Sequence, residues 1–281
     1  TTGDITVSNN INIKGTAAEV EAAVADVNTF TKAAVTAQLS TDHTLAQLKA
    51  INNALGGALT LNDYTIDLSG SSEDVAAALD GTFGNTYSGT ATVNNAHSLA
   101  QLKTINNGTT GEITLADYDV ALVGSTEDVK AALAGDFNSD YTGDVTLNDA
   151  DEANVNAADI TTIEGDTTGN ITVSNNINIK GTAAEVEAAV ADVNTFTKAA
   201  VTAQLSTDHT LAQLKAINNA LGGALTLNDY TIDLSGSSED VAAALDGTFG
   251  NTYSGTATVN NAHSLAQLKT INNGTTGEIT L

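Results

Sequence analysis

Histidines and carboxylates are the side chains of this sequence whose type and spacing could do chemistry. A Thr or Ser that can cap a helix directly follows each of the four histidines, His43, His97, His209 and His263. Such a set could form a pH-sensitive or metal-binding row. However, the residue before a cap usually packs on the fourth helical residue, and no serine or carboxylate is spaced around these histidines as in a catalytic triad. We therefore interpret them as structural residues that pack on Leu48, Leu102, Leu214 and Leu268.

Seven oxygen-bearing side chains form the better candidate for a binding site: Asp136, Asn138, Asp140, Asp144, Asp149, Asp151 and Glu152. Oxygen-rich surroundings suit calcium, which takes roughly six to eight oxygen ligands. An EF-hand is excluded, because Tyr141 stands where the loop needs Gly and Leu147 stands where it needs a bidentate acid. The glycine-rich calcium-binding nonapeptide is also missing. Two alternatives stay open, a calcium site and a solvated acidic loop, and calcium is the only cofactor the residues suggest.

The composition excludes several classes of function. The chain has 281 residues and a net charge of −25, with no cysteine and no arginine among its nine cationic residues. Disulfides, thiolate zinc sites and thiol nucleophiles are therefore excluded, and binding to a phosphate backbone is strongly disfavoured. No glycine-rich phosphate loop or nucleophile-elbow motif occurs. No apolar run approaches the length of a membrane span. Lys49 and Lys103, one turn into equivalent predicted helices, are expected at solvated positions.

The elements that must position these side chains are repeated. Residues 167–281 repeat residues 1–115 with one difference, Asp4 against Asn170, so residues 1–166 form a block that starts again at position 167. A weaker repeat runs through the whole chain, with units at 3–56, 57–110 and 111–168 and again at 169–222 and 223–276, and residues 277–281 continue the opening strand of a next unit. We predict that residues 1–281 form one continuous solenoid. Because methionine is absent, we expect a mature form or a segment of a longer protein.

Each unit carries two helix starts and short strands. Capping boxes or close variants begin at Thr16, Ser71 and Ser125 for the first helices, and at Thr44, Ser98 and Asn156 for the second ones. Gly81, Gly108 and Gly135 are expected to end helices in the usual C-terminal manner. Between the helices the apolar period changes to two, with Thr between apolar residues, which is typical of strands.

Strands that alternate with helices of this length favour parallel pairing through crossovers. We therefore predict an α/β fold, namely a parallel α/β solenoid of tandem 54–58-residue strand–helix units without evident capping repeats. The sequence leaves open whether one unit makes one coil or two.

The repetition itself bears on function. An enzyme needs one site, whereas a spacer or fibre gains length from every added copy. The terminal strands around Ile5 and Ile279 would be open edges, which predicts stacking in a longer covalent array or end to end with neighbouring copies. We therefore predict a non-enzymatic filament or stalk with no catalytic residue.

The alternative is a binding module whose repeated faces recognise a glycan or another surface. The low aromatic content of the chain weighs against a glycan-binding module, since sugar-binding surfaces generally use exposed aromatic side chains. Tyr64, Tyr87, Tyr118 and Tyr141 are the only tyrosines of the block 1–166.

The run HSLAQLKTINNGTTGEITLADYDVALVGSTEDVKAAL resembles repeat tracts of giant secreted or surface-attached bacterial adhesin-like proteins. Those tracts are similarly acidic, rich in Thr, Asn and Asp, and organised as strand–helix repeats. The resemblance extends over the whole chain in repeat style and composition, and it involves no diagnostic site. It implies an extracellular or cell-surface location and a structural or adhesive role, often with calcium.

Overall fold

The computed structural model describes residues 3–281, which contain ten short helices and nineteen short strands. The helices are α1 (Ala17–Asp26), α2 (Leu45–Ala54), α3 (Ser72–Leu79), α4 (Leu99–Gly108), α5 (Thr126–Leu133), α6 (Ala157–Asp166), α7 (Ala183–Asp192), α8 (Leu211–Ala220), α9 (Ser238–Leu245) and α10 (Leu265–Gly274). The strands are β1 (Thr6–Val7), β2 (Asn12–Gly15), β3 (Thr29–Phe30), β4 (Thr36–Leu39), β5 (Leu59–Thr60), β6 (Leu68–Gly70), β7 (Ala91–Val93), β8 (Ile113–Leu115), β9 (Leu122–Gly124), β10 (Val145–Leu147), β11 (Asn154–Asn156), β12 (Ile171–Val173), β13 (Asn178–Gly181), β14 (Thr195–Phe196), β15 (Thr202–Leu205), β16 (Leu225–Thr226), β17 (Leu234–Gly236), β18 (Ala257–Val259) and β19 (Ile279–Thr280).

The described chain divides into two compact units. One contains the residues up to Leu122 together with Asp128–Gly143 and Asp166–Thr168. The other contains Val123–Glu127, Asp144–Gly165 and Gly169–Leu281. The predicted single solenoid over 1–281 and its unit boundaries stay a prediction, and residues 1 and 2 of that range lie outside the described residues.

In the first unit the chain winds so that every pairing is parallel. The sheet orders are β1-β3, β2-β4-β5 and β6-β7-β8. Leu68 pairs with Ala91 and Ala91 pairs with Ile113, so each passage through one helix region returns the chain to the same sheet. Helices α1 to α4 pack on one another in chain order. Short strands joined by crossover connections of this kind pair in parallel.

The second unit repeats this arrangement. It holds the orders β11-β13-β15-β16 and β17-β18-β19, and also β14-β12-β10-β9, to which β9 contributes Val123 and Gly124. All of the described pairings are again parallel, and α7 to α10 pack in chain order. The predicted α/β fold of parallel strand–helix units is confirmed. Each repeat unit of the sequence carries two helices, so one repeat unit makes two coils of the chain.

Helix starts follow the predicted caps. Thr16, Thr44 and Ser98 each accept a hydrogen bond from the backbone N–H three residues on, and the acid or amide at that position bonds back to the cap. Ser71 caps α3 by accepting from Asp74 N, although no reciprocal bond from the Asp74 side chain completes a box. The hydroxyl of the capping serine instead bonds to one carboxylate oxygen, as Ser237 does to Asp240 Oδ2 in the copy, and the other oxygen is left for another partner.

The glycines near helix ends act differently from the prediction. None of the described glycines has a positive φ, so Gly81, Gly108 and Gly135 do not end helices through a left-handed residue. After α4 the chain becomes extended at Thr109, whose N–H still bonds to Ile105 O. A Cβ at Gly108 would lie 2.5 Å from Leu79 Cβ and 2.8 Å from Leu79 O. Glycine is required here because the end of one helix packs directly on the preceding coil.

The core consists of small, similar apolar layers. Strand residues alternate between a buried side chain and a more exposed one, as in Ala91-Thr92-Val93 and Ile113-Thr114-Leu115. Helices contribute Leu102 and Ile105 of α4 and their equivalents. The aliphatic composition of the sequence therefore fits thin layers that recur along the chain.

Candidate functional site

Three of the four histidines form the same buried contact. His43, His97 and His209 are 4–5% exposed. The Nε2 of each ring lies 3.0–3.2 Å from the hydroxyl of a tyrosine 44 residues later, in the pairs His43–Tyr87, His97–Tyr141 and His209–Tyr253. The predicted position before a helix cap is confirmed, but the polar partner was not predicted. The constant spacing was the signal in the sequence that could have revealed it.

The direction of this hydrogen bond follows from the tyrosine. Tyr141 donates its hydroxyl proton to Val120 O at 2.6 Å, and Tyr87 and Tyr253 do the same to Ile66 O and Ile232 O. Because a hydroxyl has one proton, it must accept from the histidine, whose Nε2 therefore carries hydrogen. The Nδ1 atoms of all three rings are buried and have no hydrogen-bond partner among the described residues.

Burial sets the protonation of these groups. It lowers the pKa of all three histidines, against the opposing pull of Asp42 and Asp63 on His43, of Asp117 on His97, and of Asp208 and Asp229 on His209. Burial also raises the pKa of Tyr87, Tyr141 and Tyr253. The pairs are thus held neutral, which suits a structural link between coils.

Lysines of the second helices form a second repeated contact. Lys49 Nζ lies 2.5 Å from Asp74 Oδ1, Lys215 Nζ lies 2.5 Å from Asp240 Oδ1, and Lys103 pairs with Asp128. Lys49 and Lys103 are thus partly exposed, as expected, but their ion pairs were not predicted. The hydrogen bond between Lys49 and Asp74 raises the pKa of the lysine and lowers that of the carboxyl. Since these side chains are about one-third or more exposed, each pair adds little net stability.

Asparagines two residues from helix ends add a third contact of the same kind. Asn106 Nδ2 donates to Ala131 O at 2.7 Å, and Asn52 and Asn218 donate to Ala78 O and Ala244 O. These second helices thus reach the coils that follow them through a histidine, a lysine and an asparagine. The three contacts occur in both compact units.

The predicted acidic residues are divided between the two compact units. Asp136, Asn138 and Asp140 belong to the first compact unit, and Asp144, Asp149, Asp151 and Glu152 belong to the second. In the chain from residue 3 onward, no three His, Cys, Asp or Glu side chains gather as a metal-binding group. The calcium site stays a prediction.

Several of these side chains instead satisfy nearby polar groups. Asp149 accepts from both the N–H and the hydroxyl of Thr126, the latter at 2.6 Å. Asp144 accepts from the N–H and the amide group of Asn170, and Asp151 accepts from Asn176 N at 2.9 Å. Glu152 has a φ of 63°, the only positive value among the described non-glycine residues. These bonds hold the loop before α6 without a common centre.

A polar cleft occurs at equivalent places in the two units. In the first unit it has a volume of about 440 Å³ and is lined by residues that include Phe83, Asn85, Asn107 and Thr110. Its copy in the second unit has a volume of about 420 Å³ and is lined by the equivalent residues of the repeated block. The Phe83 ring is half-buried and lies 5.6 Å from the Tyr87 ring. One aromatic face beside amide and hydroxyl groups can contact a ligand that is partly apolar and partly hydroxylated.

Comparison of the sequence with protein-family models finds no match, and comparison with curated proteins finds none either. Among the helices described between residues 3 and 281, none is both long and apolar enough to cross a membrane.

Proposed function

We propose that the chain is a structural repeat segment of an extracellular filament, sheath or adhesin stalk, which extends by continued stacking of solenoid coils. The neighbours are further coils of a longer covalent array or of other copies end to end. The proposal assigns the chain no enzymatic activity and no nucleic-acid partner, in line with its charge and its lack of arginine.

The carrying observation is a difference in burial between identical sequences. Ile5 and Ile11 are 37% and 42% exposed, whereas their copies Ile171 and Ile177 are 0% and 2% exposed. The copies are covered because β12 pairs with β10, and β13 pairs with β11. The strands β1 and β2 are edge strands of their sheets. The surface is thus one that another coil covers wherever such a coil is present.

Composition and resemblance support the same proposal. The acidic residues behind the net charge of −25 recur with every block, and a long array would repel its neighbours sideways unless salt or divalent cations screen the charge. End-to-end apolar surfaces and acidic sides favour growth along one direction. The adhesin-like repeat style favours an extracellular or cell-surface location, and calcium would then act as a bridging or screening ion.

Electron cryomicroscopy of an array of repeated 1–166 blocks tests the proposal. Six helices, α1 to α6, precede the repeat, so stacking at about 4.8 Å per coil gives an axial repeat of about 29 Å. In this array, in which α6 ends each block, a variant with Ile5→Lys and Ile11→Lys in the first block should lose end-to-end association with other arrays. The substitutions Ser88→Lys and Ser139→Lys at exposed positions add the same two positive charges as a control. Compact particles without this repeat would contradict the proposal.

A second candidate, a glycan-binding module of an adhesin, is favoured by the repeated cleft. Phe83 and Phe249 could stack on a sugar ring while the Asn and Thr side chains bond to its hydroxyls. A variant with Phe83→Leu and Phe249→Leu keeps an apolar side chain beside Tyr87 and Tyr253 but removes the aromatic face, so it should lose retention on a glycan array while staying folded by circular dichroism. Retention that is equal in this variant and in the parent would exclude the clefts as the binding site.

A further inference from the structure

The last described coil presents a surface made by His263, Leu265, Leu268 and Lys269, here called the C-terminal surface. Leu265 is 85% exposed, and His263 is also exposed. No ion pair to Lys269 and no hydrogen bond to the His263 ring occurs among residues 3–281. The equivalent leucines Leu45, Leu99 and Leu211 are half-buried. The same residue types are therefore covered by a following coil in the earlier helices but exposed to solvent in the last one.

An identical sequence within the first unit shows what covers such a surface. Residues 93–115 and 259–281 have the same sequence. In the earlier copy His97 bonds to Tyr141, Lys103 pairs with Asp128, and Leu102 is 0% exposed. Both polar partners lie on the segment that follows, within residues 116–141. The pairs His43–Tyr87 and Lys49–Asp74, and their copies in the second unit, show the same spacing.

A different kind of coil start occurs in residues 3–56 and its copy. There the third helical residue is Glu19, whose Oε2 accepts from the N–H and the hydroxyl of Thr16 at 2.8 and 2.9 Å. This carboxylate is engaged in its own helix cap, whereas Asp74 and Asp128 bond to a lysine. Residues 3–56 also contain no tyrosine that could meet a histidine.

The helix that precedes the second copy of this start is changed to match. Two residues before its first helical residue, α6 has Val155 at the place where α4 has His97. Further along the helix, α6 has Thr161 at the place where α4 has Lys103. The coil that begins with the Glu185 capping box thus follows a helix without histidine or lysine. Two kinds of coil junction therefore occur in the repeated block, and each kind is matched on both sides.

We propose that the C-terminal surface is a docking surface for a coil with the sequence pattern of residues 116–141, and that the first coil of a second copy does not fit it. The recognised features are a helix whose third residue is an aspartate, which pairs with Lys269, and a later tyrosine, which bonds to His263. This proposal deepens the stacking proposed above and rests on it. It states which kind of coil packs after a helix that carries the histidine and the lysine.

Chemical modification of His263 by diethyl pyrocarbonate tests the proposal. Leu281 is equivalent to Leu115 and to Val7 in the repeat, so the chain is extended after Leu281 either with residues 116–168 or, as the matched control in the same register, with residues 8–56. Residues 216–269 repeat residues 50–103, so an exposed Thr252→Ser substitution gives the tryptic peptide of His263 its own mass. With the 116–168 extension, the modification rate of His263 should fall to that of buried His97. With the 8–56 extension, it should stay at the rate of the parent chain.

Further variants check the two named contacts. In the chain extended with 116–168, changing the added copies of Asp128 to Asn and of Tyr141 to Phe should restore part of the reactivity. Leu265→Ser should lower the urea midpoint of this extended chain but leave that of the parent unchanged. An unprotected His263 in the 116–168 extension would overturn the proposal. Equal protection by the 8–56 extension would overturn it too, because the first coil of a second copy would then fit the surface. Protection in the parent chain that disappears on dilution would overturn it for the same reason.

The docking rule and the filament proposal can fail independently of each other. Protection of His263 without fibres in longer arrays would support the docking rule and refute the filament. Fibres combined with a reactive His263 in the 116–168 extension would support the filament and refute the docking rule.

Discussion

Removing the hydroxyl of Tyr141 should destabilise the coils that it joins. Tyr141 is 1% exposed, and its hydroxyl both donates to Val120 O and accepts from His97 Nε2. Tyr141→Phe keeps the ring and its packing on Phe137, whose centroid is 6.2 Å away. The substitution therefore isolates the two hydrogen bonds.

The size of the loss depends on the polar groups that the substitution leaves without a partner. A buried polar group that loses its partner costs about 1–3 kcal/mol. His97 Nε2 is in a buried ring, so its N–H would be orphaned, while Val120 is only half-buried and its carbonyl can reach water. We expect a loss of about 2 kcal/mol in the free energy of unfolding.

Urea denaturation followed by circular dichroism measures the total loss. Because stability in a solenoid accumulates coil by coil, hydrogen exchange of α5, whose sequence occurs once in the chain, measures the local loss. Thr142→Val is the control next to Tyr141, since the exposed Thr142 donates its hydroxyl proton to Tyr118 O at 3.2 Å. Water can replace that hydroxyl, so the control should lose less than about 1 kcal/mol.

A double-mutant cycle decides whether the two residues act as a pair. His97→Leu combined with Tyr141→Phe removes both polar partners, so the double variant should lose about 1 kcal/mol less than the sum of the single variants. If the loss of the double variant equals the sum of the two single losses to within about 0.3 kcal/mol, the hydrogen-bonded link is refuted. A Tyr141→Phe variant as stable as the parent would refute it as well.

Acidification should destabilise the protein from about pH 6.5 downward, because burial lowers the pKa of the three buried histidines in the folded state, so the unfolded chain binds more protons there. Urea midpoints that stay constant between about pH 7 and pH 5 would contradict this sign. Gly108→Ala should lower the free energy of unfolding by about 1–3 kcal/mol, because the added Cβ overlaps with Leu79. Gly165→Ala should raise the free energy of unfolding by about 0.5–1 kcal/mol, because its Cβ meets nothing within 4 Å inside α6. Thermal melts of the two variants compare the two effects directly. Asp149→Asn should lose about 1 kcal/mol because its two oxygens bond to Thr126. This loss should be equal in calcium and in chelator, and a loss confined to calcium would instead place the carboxylate in a calcium site.

The fold was predictable because its local signals are repeated. The caps at Thr16, Thr44 and Ser98 and the alternation at Ala91–Val93 recur in register, so each occurrence supports the others. The role of Gly108 was not predictable, since its requirement comes from Leu79 on another coil and not from its own backbone angles. Local patterns reveal elements, whereas contacts between coils depend on how far the chain travels before it returns.

The same limit explains the missed polar contacts. His97 and Tyr141 lie 44 residues apart, and Lys103 and Asp128 lie on the successive helices α4 and α5, so neither pair falls within one helix or one hairpin. The spacings became meaningful only once parallel pairing fixed the point at which each coil returns to the sheet. The acidic residues from Asp136 to Glu152 looked like one cluster because they are close in sequence, but they fall in two compact units.

We infer that the polar contacts between coils select which coil can follow which, in addition to stabilising the array. Every coil buries similar Ala, Val, Leu and Ile side chains, so apolar packing alone would accept any coil next to any other. A buried histidine without a tyrosine, by contrast, would lose its only described hydrogen bond, and that penalty discriminates against a wrong neighbour. Exposed ion pairs such as Lys49–Asp74 add little energy, yet they favour the same neighbour. In an array of nearly identical layers, the costly mismatch of a few polar groups is what can fix the sequence of layers.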